Sequence, residues 1–368
     1  MKLLVSFMPF KNFMSSKELN NLFSFFKGKS NIKINFIPFS DGGGSLNEVF
    51  EDKNTYTRTV QITNSLNRKD SCRVLINKKK KFGLFEINET MGQIKKKDID
   101  PLKRSSFGIG QVILYLSKLN LNRIYIGTGG SINTDCGIGM AHALGVKFYD
   151  SKKKILNYKN TFFHARYLEK INDIKKIQLS KKLKKIKIFI ISDSSVKLCG
   201  KKGQINIFSK QKKINKLDQI ILTKSFKKMK KIFEKKSKKK FNLPYLGSGG
   251  GVASMLYFIF NSKLLNGAKF IFKKQKLDKY IKENDLIISG EGKLDRTTFE
   301  GKGLLEIIKA SKKYKKKLYL ICAKSTINKI NYGNLINLDF KKITSKTNFI
   351  VRLKKKVNSI IKFNEKKN

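Results

Sequence analysis

A chain of 368 residues is about twice a typical domain, and its 40% hydrophobic content excludes disorder as the starting reading. The formal net charge of +55 is built from lysine, with eight arginines among 81 basic residues; arginine is the side chain preferred for bidentate phosphate and base contacts, so nucleic acid is not the expected partner. Cys72, Cys136, Cys199 and Cys322 form no C-x-x-C pair and the two histidines are His142 and His164, which excludes the usual zinc spacings and a disulfide framework and points to a reducing compartment.

Along the chain, Leu3 to Phe7 reads as a buried strand rather than a leader, because no small-residue cleavage site follows it. Ser15 to Phe26 has helical spacing behind a Ser cap, Ile32 to Pro38 is a second strand, and Asp41-Gly-Gly-Gly-Ser leads into a helix through Asn47 to Phe50. From Tyr56 to Ile87 short alternating runs suit antiparallel strands. A helix entered at Arg104 to Gly110 follows, then strands Arg123 to Ile126 and Lys187 to Ile191. Between Lys201 and Phe241 the chain is lysine-dense, with Leu217, Ile220, Ile221, Met229, Ile232 and Phe233 at helix-like intervals; a surface helix with its lysines in water is expected.

Leu246 to Ser254 is a glycine-rich loop before an apolar helix. The longest nearly apolar run, Met255 to Phe272, is broken by Lys263 and Lys269, so no membrane partner is expected and the location is read as cytoplasmic. Strand Asp285 to Ser289, helix Gly303 to Tyr314, strand Lys317 to Cys322 and an apolar run near Leu335 resume the opening alternation. The expected fold is α/β: a doubly wound, five-stranded parallel-sheet domain from residues 1–55 and 275–368, interrupted by a mixed α/β domain over 56–274.

Four polar turns follow predicted strands: Ser40 to Gly43, Gly127 to Ser131, Ser192 to Ser195 and Ser289 to Asp295. Ligands of open α/β sheets collect at the carboxyl ends of strands, so all four are placed to face one cleft. Glycine turns bring backbone N–H groups to phosphate oxygens, and carboxylates beside them can hold magnesium or take a hydroxyl proton. Phosphoryl transfer uses both features together. Each turn alone is commonly a connector, and neither a Walker lysine motif nor a protein-kinase set occurs.

These residues resemble the bacterial glycerate kinases. The shared blocks are D-G-G at Asp41, S-S-F-G-x-G at Ser105, G-x-G-G-S-x-x-x-D-x-G-x-G-M-A-x-A-L-G at Gly127, the strand-end Asp193, G-S-G-G-G at Gly247 and S-G-E-G-x-L-D-x-x-T at Ser289. The resemblance implies a flavodoxin-like domain with an inserted one and an active site in the cleft between them. It also implies magnesium-ATP (Mg2+ and ATP) as phosphoryl donor and glycerate or a similar hydroxy acid as acceptor; a homodimer is left open. On that reading Asp193 and Asp295 are the candidates for base or metal ligand, with Glu291 and Asp41 beside them and Lys11 and Lys293 neutralising charge. Gly129, Gly130 and Ser131 cradle an anion, and Gly42, Gly43, Ser106, Asp135, Gly249, Gly250, Gly290 and Gly292 complete the binding set, with helix capping as the other role open to Asp135. The chain departs from the family pattern at Met8, Gly44, Ser195 and Val196, where an aspartate, a glutamate, an aspartate and an asparagine stand. A member that binds a nucleotide or small anion without turnover is therefore the alternative.

Overall fold

The structure, a computed structural model, describes the chain except residues 11–12, 25–31, 93–99, 157–161, 176–179, 296–297, 299–302, 340–344 and 366–368. In chain order the elements are β1 (Lys2–Phe7), α1 (Ser16–Asn21), β2 (Lys33–Phe36), α2 (Leu46–Phe50), β3 (Thr55–Thr63), β4 (Lys69–Asn77), β5 (Phe82–Glu86), α3 (Phe107–Lys118), β6 (Arg123–Gly127), α4 (Ile138–Ala143), β7 (Lys147–Tyr149) and β8 (Asp173–Lys175). There follow α5 (Lys181–Lys185), β9 (Lys187–Ser192), α6 (Gln204–Phe208), α7 (Lys216–Ser237), α8 (Val252–Phe260), β10 (Lys263–Asn266), α9 (Gly267–Lys274), α10 (Leu277–Glu283), β11 (Leu286–Leu294), α11 (Gly303–Lys313), β12 (Lys317–Ser325), β13 (Asn334–Asn337) and α12 (Lys346–Glu365). Two compact units result, one from Met1–Val49 with Gly267–Asn368, the other from Phe50–Asn266. Among the described residues no helix is long and apolar enough to cross a membrane.

The first unit holds a five-stranded parallel sheet in the order β13-β12-β11-β1-β2. Its strands come from both ends of the chain, as the alternation predicts. Counted within the unit, the order is 2-1-3-4-5, the flavodoxin-like winding, whose switch point lies between β1 and β11. Leu3, Leu4, Val5 and Phe7 of β1 are all fully buried, as a central strand covered on both faces requires. Helix α1 begins with a capping box: Ser15 Oγ accepts the Glu18 N–H, and Glu18 Oε2 accepts the Ser15 N–H at 2.7 Å. The helix in turn fixes the strand ends, since Asn20 Oδ1 accepts the Phe7 N–H at 3.1 Å, while Ser16 Oγ donates to Phe7 O and accepts the Phe39 N–H.

The second unit holds a six-stranded sheet, β10-β9-β6-β5-β4-β3. β10, β9, β6 and β5 run parallel; β4 and β3 are antiparallel additions. The carboxyl ends of β5, β6 and β9 therefore open on the same edge. The core mixes sheet and helix residues, among them Ile124, Ile126, Ile188, Ile190, Phe226 and Met229.

Three expectations are corrected. Residues Ser289–Leu294 are not a turn: β11 continues through Leu294 because β12 runs alongside it, pairing Glu291 with Cys322 and Lys293 with Lys324. In α7, Leu217 and Ile220 are 68% and 67% exposed; the buried stripe is Leu222, Phe226, Met229 and Phe233, spaced four, three and four residues apart. Finally, Gly267–Lys274 belongs with the first unit, where it forms α9 beside α10 and α11.

Candidate functional site

In the second unit the chain leaves β6 through Thr128–Ser131. Thr128 anchors the exit, its N–H donating to Ile191 O at 3.0 Å. Gly129 and Gly130 form a hydrogen-bonded turn that the Ser131 N–H closes on Thr128 O, and among the described residues no protein acceptor takes the N–H of Gly129 or Gly130. Gly130 is exposed and left-handed, with φ +72°. Two successive backbone donors at a strand's carboxyl end, one of them in this conformation, are groups of the kind that suit an anion.

Asp135 is placed differently. It is fully buried, and both its oxygens are taken by the protein. Oδ2 accepts the Ser106 N–H (2.8 Å), Ser106 Oγ–H (2.7 Å) and Gly139 N–H (3.2 Å); Oδ1 accepts Asn133 Nδ2 (2.9 Å) and the Gly137 N–H (3.2 Å). Ser106 Oγ also accepts the Met140 N–H at 2.9 Å. The carboxylate thus satisfies orphan N–H groups at the starts of both α3 and α4. Of the two roles open to Asp135, capping is the one its geometry performs.

A second glycine turn, Ser248–Gly251, packs on the same loop. Asn133 Nδ2 donates to Gly249 O at 3.3 Å, and the Cys136 N–H donates to Gly250 O at 3.0 Å. Gly250 has φ +67°, and a Cβ there would collide with the carbonyl oxygen of Asn133. Lys212 reaches that carbonyl from the other direction, its Nζ donating at 2.7 Å. Burial pushes Lys212 down to about 7, against the raising effect of Asp135. Sequence reasoning passed over Lys212, because nothing in S-K-Q-K-K distinguishes the one lysine that turns inward. Nearby, Asp193 lies partly exposed in the turn after β9, where Ser192 Oγ accepts the Ser194 N–H. Val196 is buried, and its carbonyl accepts the Gly247 N–H at 3.1 Å.

In the first unit, the loop after β2 closes on itself. Asp41 is 4% exposed with Oδ1 accepting the Gly43 N–H at 3.0 Å, and Ser40 Oγ accepts the Gly42 N–H. At the end of β11, Thr298 joins two carboxylate residues: its Oγ1 donates to Glu291 Oε1 at 2.5 Å and accepts the Asp295 N–H at 3.2 Å. Asp295 pairs with Lys293 Nζ at 2.9 Å. Gly290 and Gly292 lie within this strand, alongside Phe7 and Phe10. Lys11 lies outside the described residues. Met8 is 3% exposed, and a Cβ on Gly303 would stand 2.7 Å from its Sδ, so the position where the family has an aspartate is filled by packing.

The sequence-predicted residues therefore fall into two sets, Asp41, Gly42, Gly43, Gly290, Glu291, Gly292, Lys293 and Asp295 in the first unit and the remainder of the described ones in the second. Among the described residues no group of three His, Cys, Asp or Glu side chains could hold a metal ion. Glycine turns and carboxylates at the ends of parallel strands are where an α/β protein of the doubly wound class carries its site.

Comparison with known proteins makes the class specific. The model of the glycerate kinase family matches residues 3–361. A glycerate kinase of Neisseria meningitidis serogroup B is 27% identical over 84% of this chain and 82% of its own length. The glycerate 2-kinase of Escherichia coli K12 is 27% identical over 76% and 73%. In fold, the chain matches the crystal structure of a protein assigned as glycerate kinase 2 from Salmonella typhimurium LT2, with TM-score 0.77 and 21% identity, over 100% of this chain and 99% of that one. The chain belongs to the glycerate kinase family.

Proposed function

We propose that this chain transfers the γ-phosphoryl group of ATP to a hydroxyl of glycerate, in the cytoplasm. The acceptor oxygen bonds the γ-phosphorus, the bond to the β–γ bridging oxygen breaks, and the hydroxyl proton passes to a carboxylate. The observation that carries this reading is the turn Gly129–Ser131, in which the N–H groups of Gly129 and Gly130 have no protein acceptor among the described residues. Such a turn suits either a phosphate or the substrate carboxylate. The name of the E. coli relative makes carbon 2 the first position to test.

Asp193 and Asp295 are our candidates for the base and for metal binding, and Thr298 and Lys293 orient the Glu291–Asp295 strand end. Either carboxylate would suit magnesium, which is commonly held by one or two carboxylates with the remaining positions filled by nucleotide phosphates and water, rather than by a protein cage. When bound, the ion would neutralise charge on the phosphate oxygens. Lys11 is a further candidate for that task.

The buried Met8 and Val196 favour a second reading, in which ATP or a small anion binds without turnover. Incubation of the purified chain with magnesium-ATP and D-glycerate, with product resolved by 31P NMR, separates the two. Phosphoglycerate is the expected product. ATP binding with no phosphoglycerate would transfer the assignment to the second reading.

A further inference from the structure

Lys212 is concealed in the most lysine-rich part of the chain. After α6 the backbone turns through Ser209–Asn215, the Lys212 N–H donating to Phe208 O at 2.8 Å and the Ile214 N–H to Ser209 O at 2.9 Å. Lys210, Gln211 and Lys213 face water, whereas Lys212 keeps 6% of its surface. Its ammonium meets a backbone carbonyl rather than a carboxylate, the oxygen of Asn133. That peptide group is where three segments converge. Gly250 packs on the same oxygen, and the Asn133 side chain donates to Gly249 O and Asp135 Oδ1. Burying an ammonium is costly, and an apolar side chain of similar volume would close the same gap without desolvation. A gain in packing does not explain a lysine here; a cation aimed at the loop that carries Gly129–Ser131 does.

We propose that Lys212 is a positioning residue for the anion-binding turn: by holding the Asn133 carbonyl it sets the path of Gly129–Ser131, and loss of its proton loosens that turn. The proposal rests on the reading of this turn as an anion site. Burial brings the Lys212 ammonium down to about 7, and the charged group whose field reaches it is Asp135. Linkage fixes the sign. An anion on the turn favours the protonated ammonium, so binding draws a proton onto Lys212 and affinity falls as pH rises through about 7, by up to about tenfold per pH unit.

The test compares the full chain with Lys212→Met, first by hydrogen exchange without ligand and then by titration with sulfate and with D-glycerate from pH 6 to pH 9, where neither anion changes charge. In Lys212→Met the amides of 128–139 are expected to exchange about tenfold faster at pH 6, with α8 unchanged. In the native chain the same amides are expected to lose protection between pH 6 and pH 9 beyond the intrinsic acceleration, which needs no variant to fold. Both anions should bind the native chain more weakly as pH rises, and the methionine variant weakly at every pH. Native exchange over 128–139 in Lys212→Met, or no extra pH dependence in the native chain, overturns the proposal. If the exchange results hold and neither anion binds, the positioning role stands and the anion reading of the turn falls.

Discussion

Ser106 and Asp135 are turned on each other: Ser106 donates both its N–H and its hydroxyl to Asp135 Oδ2, at 2.8 and 2.7 Å, and both residues are fully buried. The pair joins the start of α3 to the start of α4. Asp135→Asn replaces one acceptor oxygen by an NH2 group facing N–H donors, so a buried donor is left opposite a donor. The expected loss is about 3 kcal/mol, read as a lower urea midpoint with unchanged slope. A native midpoint would show that the carboxylate does not hold these helices.

Asp193→Asn and Asp295→Asn test the proposed chemistry. Each removes a charge from a partly exposed strand-end carboxylate while keeping its size. Turnover is expected to fall by about 100-fold or more if the carboxylate takes the proton, with ATP affinity changed far less. Steady-state kinetics beside a binding titration decide it, and a variant with native turnover is removed from the reaction.

The parts of the fold legible in the sequence are those where burial acts on every residue. β1 and the first half of β11 are continuous apolar runs, so their places in a parallel sheet can be read directly. The second half of β11, G-E-G-K-L, has the composition of a turn; it is a strand because β12 supplies its hydrogen bonds, and that neighbour is distant in sequence. Helix α12 is not legible in the sequence, since lysines and the exposed Val351 and Phe363 dilute its apolar stripe. Glycine, serine and aspartate mark the polar loops at the strand ends but not their roles. The same residue types leave N–H groups without a protein acceptor at Gly129 and Gly130 and serve the protein itself at Ser106 and Asp135.

Gly130→Ala probes the anion turn at its left-handed residue. With φ +72° and a Cβ that would stand 3.0 Å from Asn88 Cβ, the substitution strains a conformation worth about 1 kcal/mol to an L residue. That strain should lower the thermal midpoint by roughly 2 °C. Glycerate or ATP binding, measured by calorimetry, should weaken about tenfold. Native affinity for both ligands would place their anionic groups elsewhere.

The capping box of α1 gives a pH-dependent increment. The Ser15 N–H, then Lys346, hold Glu18 below its ordinary value. The unfolded chain therefore takes up the proton first as pH falls, so this stabilisation is present above the ordinary value of 4.5 and is lost as pH drops through the lower folded value. Glu18 is half exposed, which keeps the increment small. Glu18→Gln should lower the melting temperature slightly at pH 7 and not at pH 3. Ser15→Ala, which removes the cap at all pH values, should cost about 1 kcal/mol at both.

Met8→Asp restores the family's residue type in a place now packed against Gly303. At 3% exposure a new carboxyl loses its hydration, which raises its proton affinity above that in the unfolded chain. The penalty therefore grows as pH rises above the ordinary aspartate range and shrinks in acid. Met8→Asp should melt well below the native chain at pH 8, by about 3 kcal/mol, and much closer to it at pH 4.5, while Met8→Leu stays near native at both. Equal melting of the aspartate variant and the native chain at pH 8 would mean that water or a cation reaches the position, and that the lost aspartate could be reinstated in a working site.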